Sequence, residues 1–328
     1  MKVGVLQFFG WRDRSVSLED IYSRALERIE IMDQTGYDAV WLAEHHFSSY
    51  SVCPSVHVMA MQVAARTKNL RIGTAVTLAA FYHPLRIAEE IALIDVLSGG
   101  RINWGAGRGF DPVEMQNFGV TSEDSHDRFR EAVDIVIQAW NTDRLTYDGK
   151  FHSFKDVEVL PKPKQSPHPP VWMAASSEGA IEWAAEQGHA ILMDPHSAHD
   201  EIARKEALYE SRYASAQGQK PKADRPIARL VAIAETDEKA RVIAERGAAF
   251  SGRYLPKAAV AGFRADKKPT EAADHYMDGV IIHGSPARVV DELQRLEEEL
   301  PLDYLLLSPL SEKTFDLFTE HVLPKVLS

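Results

Sequence analysis

The chain has 328 residues, with 37 Lys and Arg against 48 Asp and Glu and a formal charge of -11 at pH 7. An acidic chain whose basic residues are scattered suits neither a nucleic-acid backbone nor an anionic membrane, which leaves small molecules as the expected partners. One cysteine, Cys53, excludes an intrachain disulfide or a cysteine-rich metal site and fits a reducing compartment.

The opening Met1-Lys2-Val3-Gly4-Val5-Leu6 reads as a strand, not as a secretion signal. No apolar run reaches the ~18 residues of a membrane span, so the cytoplasm is the expected location. Seven further strand candidates follow in order: Ala39 to Leu42, Arg71 to Val76, Ile102 to Ala106, Pro170 to Ala174, Ala190 to Met193, Ala228 to Ala234 and Tyr304 to Leu307. The first is taken as Val3 to Phe8, and amphipathic helical patterns separate all eight. One of these helices shows clear punctuation, Ser285 as cap and Pro286 at its first position, with Val289, Val290, Leu293 and Leu296 on one face. Eight alternating units predict an α/β chain folded as a single (β/α)8 TIM barrel over 1–328. Three segments exceed the minimal barrel and are expected as insertions on its C-terminal face: 110–124, 145–169 with a hairpin around Asp148-Gly149, and 251–278.

Three clusters stand directly after predicted strands, the end of a barrel where chemistry is done. Glu44-His45-His46 offers a carboxylate and two imidazoles, which titrate near neutral pH. Gly105-Ala106-Gly107-Arg108-Gly109 offers glycines that let backbone approach a ligand and a guanidinium fork suited to phosphate. Ser176-Ser177, before a helix containing Trp183, offers hydroxyls and unpaired backbone N–H groups for an anion. Taken singly, these are equally a structural histidine pair, a tight turn and an ordinary helix cap. Taken together they describe a cleft with a phosphate anchor at one side and acid–base groups at the other, and hence a phosphorylated cofactor. Phe8, Trp11, Phe47, Phe81 and Tyr82 fall at or after strand ends, where they either form an apolar wall for cofactor and substrate or belong to the core. Asp194, His196 and His199 lack the spacing of a metal set, and no metal is expected.

The runs Val40-Trp41-Leu42-Ala43-Glu44-His45-His46-Phe47, Ile72-Gly73-Thr74-Ala75-Val76, His83-Pro84-Leu85-Arg86, Leu97-Ser98-Gly99-Gly100-Arg101 and Glu182-Trp183-Ala184-Ala185 resemble the bacterial luciferase-like flavin monooxygenase family over nearly the whole chain. The resemblance implies reduced FMN from a separate flavin reductase in a two-component system. The flavin would react with O2 to a C4a-peroxyflavin that oxygenates a small, apolar organic substrate such as an aldehyde, ketone or hydrocarbon. It further implies His45 as acid–base catalyst with His46 and Glu44 in support, and Arg108, Ser176 and Ser177 at the FMN phosphate. Ala106, Gly107 and a non-proline cis peptide at Ala75-Val76 would lie by the flavin, a mobile lid over 251–278 would cover the site, and the protein would be a homodimer. Gly107 stands where the luciferase α subunit has a cysteine, and Ala180 where it has a hydroxyl residue. The rival readings are a deazaflavin (F420)-dependent hydride-transfer enzyme, a non-catalytic flavin-binding subunit and a metal-dependent barrel hydrolase.

Overall fold

The computed structural model describes residues 1–254 and 272–327, so most of the expected lid lies outside the described residues. The chain forms two compact units, Gln7–Ala174 and Met1–Leu6 with Ala175–Ser328. Strand β1 (Lys2–Gln7) opens the chain and, up to Leu6, belongs to the second of these.

In the Gln7–Ala174 unit, α1 (Leu18–Thr35) starts where the Ser17 side chain accepts from the Asp20 N–H and stops at Gly36, which takes the left-handed conformation at φ 90°. Strand β2 (Ala39–Leu42) leads to α2 (Val56–Arg66), capped by Ser55, then to β3 (Arg71–Thr74) and the short β4 (Thr77–Leu78). Helix α3 (Pro84–Leu97) begins with proline at its first position. Strand β5 (Ile102–Gly107), α4 (Pro112–Asn117) and α5 (Ser125–Asn141) follow, then the hairpin of β6 (Leu145–Asp148) and β7 (Ser153–Val157), and finally β8 (Val171–Ala174). Strands β2, β3, β5 and β8 pair in parallel in that order, and β4 adds to β5. Trp41 sets the packing of this sheet: it is fully buried opposite Gly73, whose missing Cβ would stand 2.3 Å from the indole.

In the second unit, α6 (Glu178–Glu186), β9 (Ala190–Leu192), α7 (His199–Gln217), β10 (Ile227–Ile233) and α8 (Asp237–Tyr254) alternate. Then come α9 (Ala272–Gly279), β11 (Ile282–Gly284), α10 (Pro286–Glu299) and β12 (Tyr304–Pro309). Helix α11 (Glu312–Leu317), one π turn and α12 (Leu323–Val326) close the chain. Strand β12 lies between β1 and β10, all parallel, β11 pairs with β10, and a bridge from Met193 to Ile227 joins the end of β9 to β10. Every expected strand is present, and the hairpin forms where Asp148-Gly149 placed it. Two strands were not expected, β4 and β11. No helix among the described residues is long and apolar enough to cross a membrane.

Candidate functional site

The loop after β2 is pinned by two backbone bonds, from Ala43 N–H to Gln7 O at 3.1 Å and from His45 N–H to Cys53 O at 3.2 Å. Glu44, 2% exposed, accepts from the Tyr82 hydroxyl at 2.7 Å and the Leu78 N–H at 3.3 Å, and lies 3.0 Å from His46 Nε2. A buried carboxylate is tolerated when its lone pairs are satisfied in this way. Burial, and then the Glu44 charge, push the Tyr82 hydroxyl up, which keeps it a donor. Tyr82, expected as pocket wall, therefore spends its polar atom on Glu44.

A second carboxylate enters from α4. Glu114, also 2% exposed, accepts from the His46 N–H at 2.8 Å and stands 3.4 Å from His45 Nδ1. His45 Nε2 makes no hydrogen bond among the described residues. The ring lies 5.1 Å from Tyr50 and 6.1 Å from Phe8. One imidazole nitrogen held by a carboxylate and the other open is the arrangement of a general acid or base. Glu114 was not among the candidates. Its short helix is announced by Asp111-Pro112, where the Asp111 side chain accepts from the Val113 N–H at 2.8 Å, but that signal marks the helix and not the role of Glu114.

Phe118, at the end of the same helix, lies 4.7 Å from His46, 5.3 Å from Phe81 and 5.5 Å from Phe47. Phe47 is 64% exposed and sits at φ 54°, a left-handed conformation that costs a phenylalanine ~1–2 kcal/mol. The structure thus gathers Glu44, His45, His46, Phe8, Phe81 and Tyr82. Trp11 is engaged elsewhere, its indole N–H on Val16 O at 2.9 Å and its ring under the Arg14 guanidinium.

The Ala75-Val76 peptide is cis, as expected. The glycines beside it have a different reason from the one expected. A Cβ on Gly107 would stand 2.3 Å from Val76 Cγ2, one on Gly105 2.0 Å from Thr74 O, and one on Gly109 2.7 Å from Phe81. The space they leave is filled by protein. Ala106 is buried between them, and Arg108 bonds through Nη1 to Ser125 Oγ at 2.9 Å, its only hydrogen bond among the described residues. Burial lowers its pKa, and the rest of its fork remains for an anion.

In the second unit, Ser176 Oγ donates to Asp194 Oδ2 at 3.0 Å. The other Asp194 oxygen accepts from the backbone N–H groups of His196 and Ser197, each at 2.8 Å, and the Ser197 hydroxyl adds a bond at 2.9 Å. Burial opposes the Asp194 charge, but Lys205 at 3.8 Å, His196 and these donors outweigh it and hold the carboxyl at about 2. Ser177 caps α6 without a side-chain bond, is exposed, and is followed by Glu178 and then by Gly179, around which a Cβ would meet nothing within 4 Å. Arg229 on β10 is fully buried and donates to Ser197 O at 2.8 Å, while its Nε and Nη2 find no partner among the described residues.

A sequence profile of the luciferase-like monooxygenase family matches residues 1–302. Among curated proteins, the chain is 40% identical over 167 residues to uncharacterized protein y4wF of Sinorhizobium fredii, covering 51% of this chain and 49% of that one. It is 30% identical over 189 residues to the oxygenase component of the flavin-dependent trigonelline monooxygenase of Acinetobacter baylyi, covering 57% and 52%. The matched stretch thus spans about half the length of these relatives. Among solved structures, monooxygenase RslO1 from Streptomyces bottropensis superposes with a TM-score of 0.84 at 27% identity over 100% of both chains. The same fold occurs in the oxygenating constituent of a Pseudomonas putida 3,6-diketocamphane monooxygenase bound to FMN, with a TM-score of 0.81 at 19% identity over 100% of this chain and 99% of that one. It also occurs in an F420-dependent secondary alcohol dehydrogenase, with a TM-score of 0.79 at 18% identity over 100% and 99%.

Proposed function

Because the chain belongs to the luciferase-like monooxygenase family, we propose that it is a flavin-dependent monooxygenase that receives reduced FMN from a separate reductase and oxygenates a small apolar organic molecule with O2. The proposed frame is a single-domain (β/α)8 barrel, supported by the presence of all eight expected strands with helices between them, and the proposed assembly is a homodimer.

The observation that carries the reading is His45, with Nδ1 toward Glu114 and Nε2 open among aromatic rings. Bound reduced FMN would supply the electrons that activate O2; the chain's own part is to bind, orient and shield. His45 holds or releases a proton at Nε2 while Glu114 keeps the ring oriented through Nδ1. Glu44 fixes His46, whose backbone N–H in turn anchors Glu114. Phe8, Phe47, Phe81 and Phe118 keep water from the reacting atoms and favour an apolar substrate. Taken unit by unit, the unused donors of Arg108 suit a flavin phosphate in the Gln7–Ala174 unit, and the open helix start at Ser177 suits an anion in the other.

Anaerobic protein loaded with reduced FMN and mixed with oxygenated buffer in a stopped flow tests this. The expected result is flavin reoxidation slower than for free flavin, and a changed rate in His45→Ala. Reoxidation at the free-flavin rate, together with tight binding of F420, would replace this reading with a deazaflavin-dependent hydride transfer.

A further inference from the structure

The sequence pairs Ser176 with Ser177 as equivalent hydroxyls at the start of α6. Their surroundings are opposite. Ser177 is exposed and its hydroxyl makes no hydrogen bond among the described residues, whereas Ser176 is partly buried and its hydroxyl proton is directed at a carboxylate 3.0 Å away. A serine hydroxyl has one proton and two lone pairs, so Ser176 in this state can only accept from a ligand.

Asp194 is well fixed for that task. Its oxygens take two backbone N–H bonds and the Ser197 hydroxyl besides Ser176. Lys205 donates to the Ser197 hydroxyl at 2.8 Å and pairs with Glu201 at 3.1 Å, and Arg229 donates to Ser197 O. The carboxylate therefore cannot turn away from Ser176 without breaking several bonds at once. Its side chain keeps 18% of its surface exposed, so its charge is felt by whatever lies outside. A phosphate oxygen placed on Ser176 would need the proton that Asp194 holds and would stand close to a like charge.

We propose that Asp194 is a positioning residue that makes Ser176 a hydrogen-bond acceptor for a hydroxyl of the cofactor's polyol chain, leaving Ser177 alone of the two to contact its phosphate. The assignment rests on the flavin reading above and refines it. It divides the two serines by ligand chemistry, polyol against phosphate.

The test is binding of oxidised FMN and of riboflavin, which lacks the phosphate, followed by flavin fluorescence with no turnover required. Ser176→Ala is expected to weaken both ligands by a similar factor, about three- to tenfold for one hydrogen bond, with Ser176→Thr restoring both. Ser177→Ala is expected to weaken FMN and leave riboflavin unchanged. Asp194→Asn removes the like charge and frees the Ser176 proton, so FMN should gain on riboflavin by fivefold or more. Should Asp194→Asn fold poorly, the two serine variants decide the matter, since neither disturbs the other three bonds to Asp194. Loss of FMN binding alone in Ser176→Ala would overturn the assignment while leaving the flavin reading intact. Failure of the wild-type protein to bind either flavin, oxidised or reduced, would overturn both.

Discussion

Each unit sets carboxylates beside a candidate ligand-contacting group, and the two do so with different partners. In the Gln7–Ala174 unit, Glu44 and Glu114 face imidazoles, His46 at 3.0 Å and His45 at 3.4 Å. In the other unit, Asp194 takes its hydrogen bonds from hydroxyls and backbone N–H groups, with the ammonium of Lys205 and the His196 imidazole near it but not bonded to it. Imidazoles exchange protons near neutral pH, whereas hydroxyls and ammonium groups do not. The first arrangement is suited to moving a proton, the second to keeping a fixed charge and a fixed donor geometry. Outside the first unit, His199 on α7 has a buried Nε2 without a partner among the described residues, and burial, followed by Arg229, brings its pKa down to about 4.

The largest effect that would break this comparison is on turnover. His45→Ala should lower turnover by ~10²- to 10⁴-fold, the range of a positioned acid–base group, with the fold retained by circular dichroism. Glu114→Gln should give a smaller loss, because the amide oxygen can still accept the His46 N–H but supplies no charge at His45 Nδ1. Equal activity in His45→Ala and wild type would remove the proton-transfer role from the first unit. Next in size is the acid sensitivity contributed by His199. Its folded pKa lies below the unfolded value of 6.5, so the unfolded chain binds the proton first and stability falls as pH drops from above 6.5 toward 4. The loss amounts to about 3 kcal/mol at the acid end of that window. Urea unfolding at pH 7.5 and pH 4.5 should therefore show a steeper acid loss in wild type than in His199→Gln; identical slopes would contradict a buried neutral imidazole.

What the sequence made legible follows from how far apart the interacting residues lie. The strands were legible because β-branched and apolar runs carry their own signal, and α10 because Ser285-Pro286 and the Val289 to Leu296 stripe are local. Strand β11 was missed because Ile282–Gly284 is too short to stand out beside the extension that precedes it. Glu114 was invisible for another reason: its contact with His46 joins positions 68 residues apart, and nothing around Glu114 marks it as the partner of an imidazole. In sequence Gly107 reads as a glycine that lets backbone approach a ligand, and what a Cβ there would meet is Val76. Ser176 and Ser177 looked alike in sequence because the residue that separates them, Asp194, lies 18 positions further on.

Asp194 offers the smaller and sharper test of the fixed-charge side of the comparison. Its folded pKa of about 2 lies below the unfolded value of 3.8, so its ionised form stabilises the fold above that value, and the contribution is lost as pH falls through the interval. The size is about 2 kcal/mol, and it requires that the donors around the carboxylate stay in place. In Asp194→Asn this term is absent, so the stability gap between wild type and variant should be widest at neutral pH and narrow by about that amount toward pH 2. Lys205→Met should give a gap to wild type that narrows in the same direction but by less, since Lys205 acts on Asp194 only as a charge 3.8 Å away while the hydroxyl and backbone N–H donors remain. If the gap were instead independent of pH, Asp194 would stabilise through geometry alone, and the contrast with the imidazole-paired carboxylates of the first unit would rest on shape and not on charge.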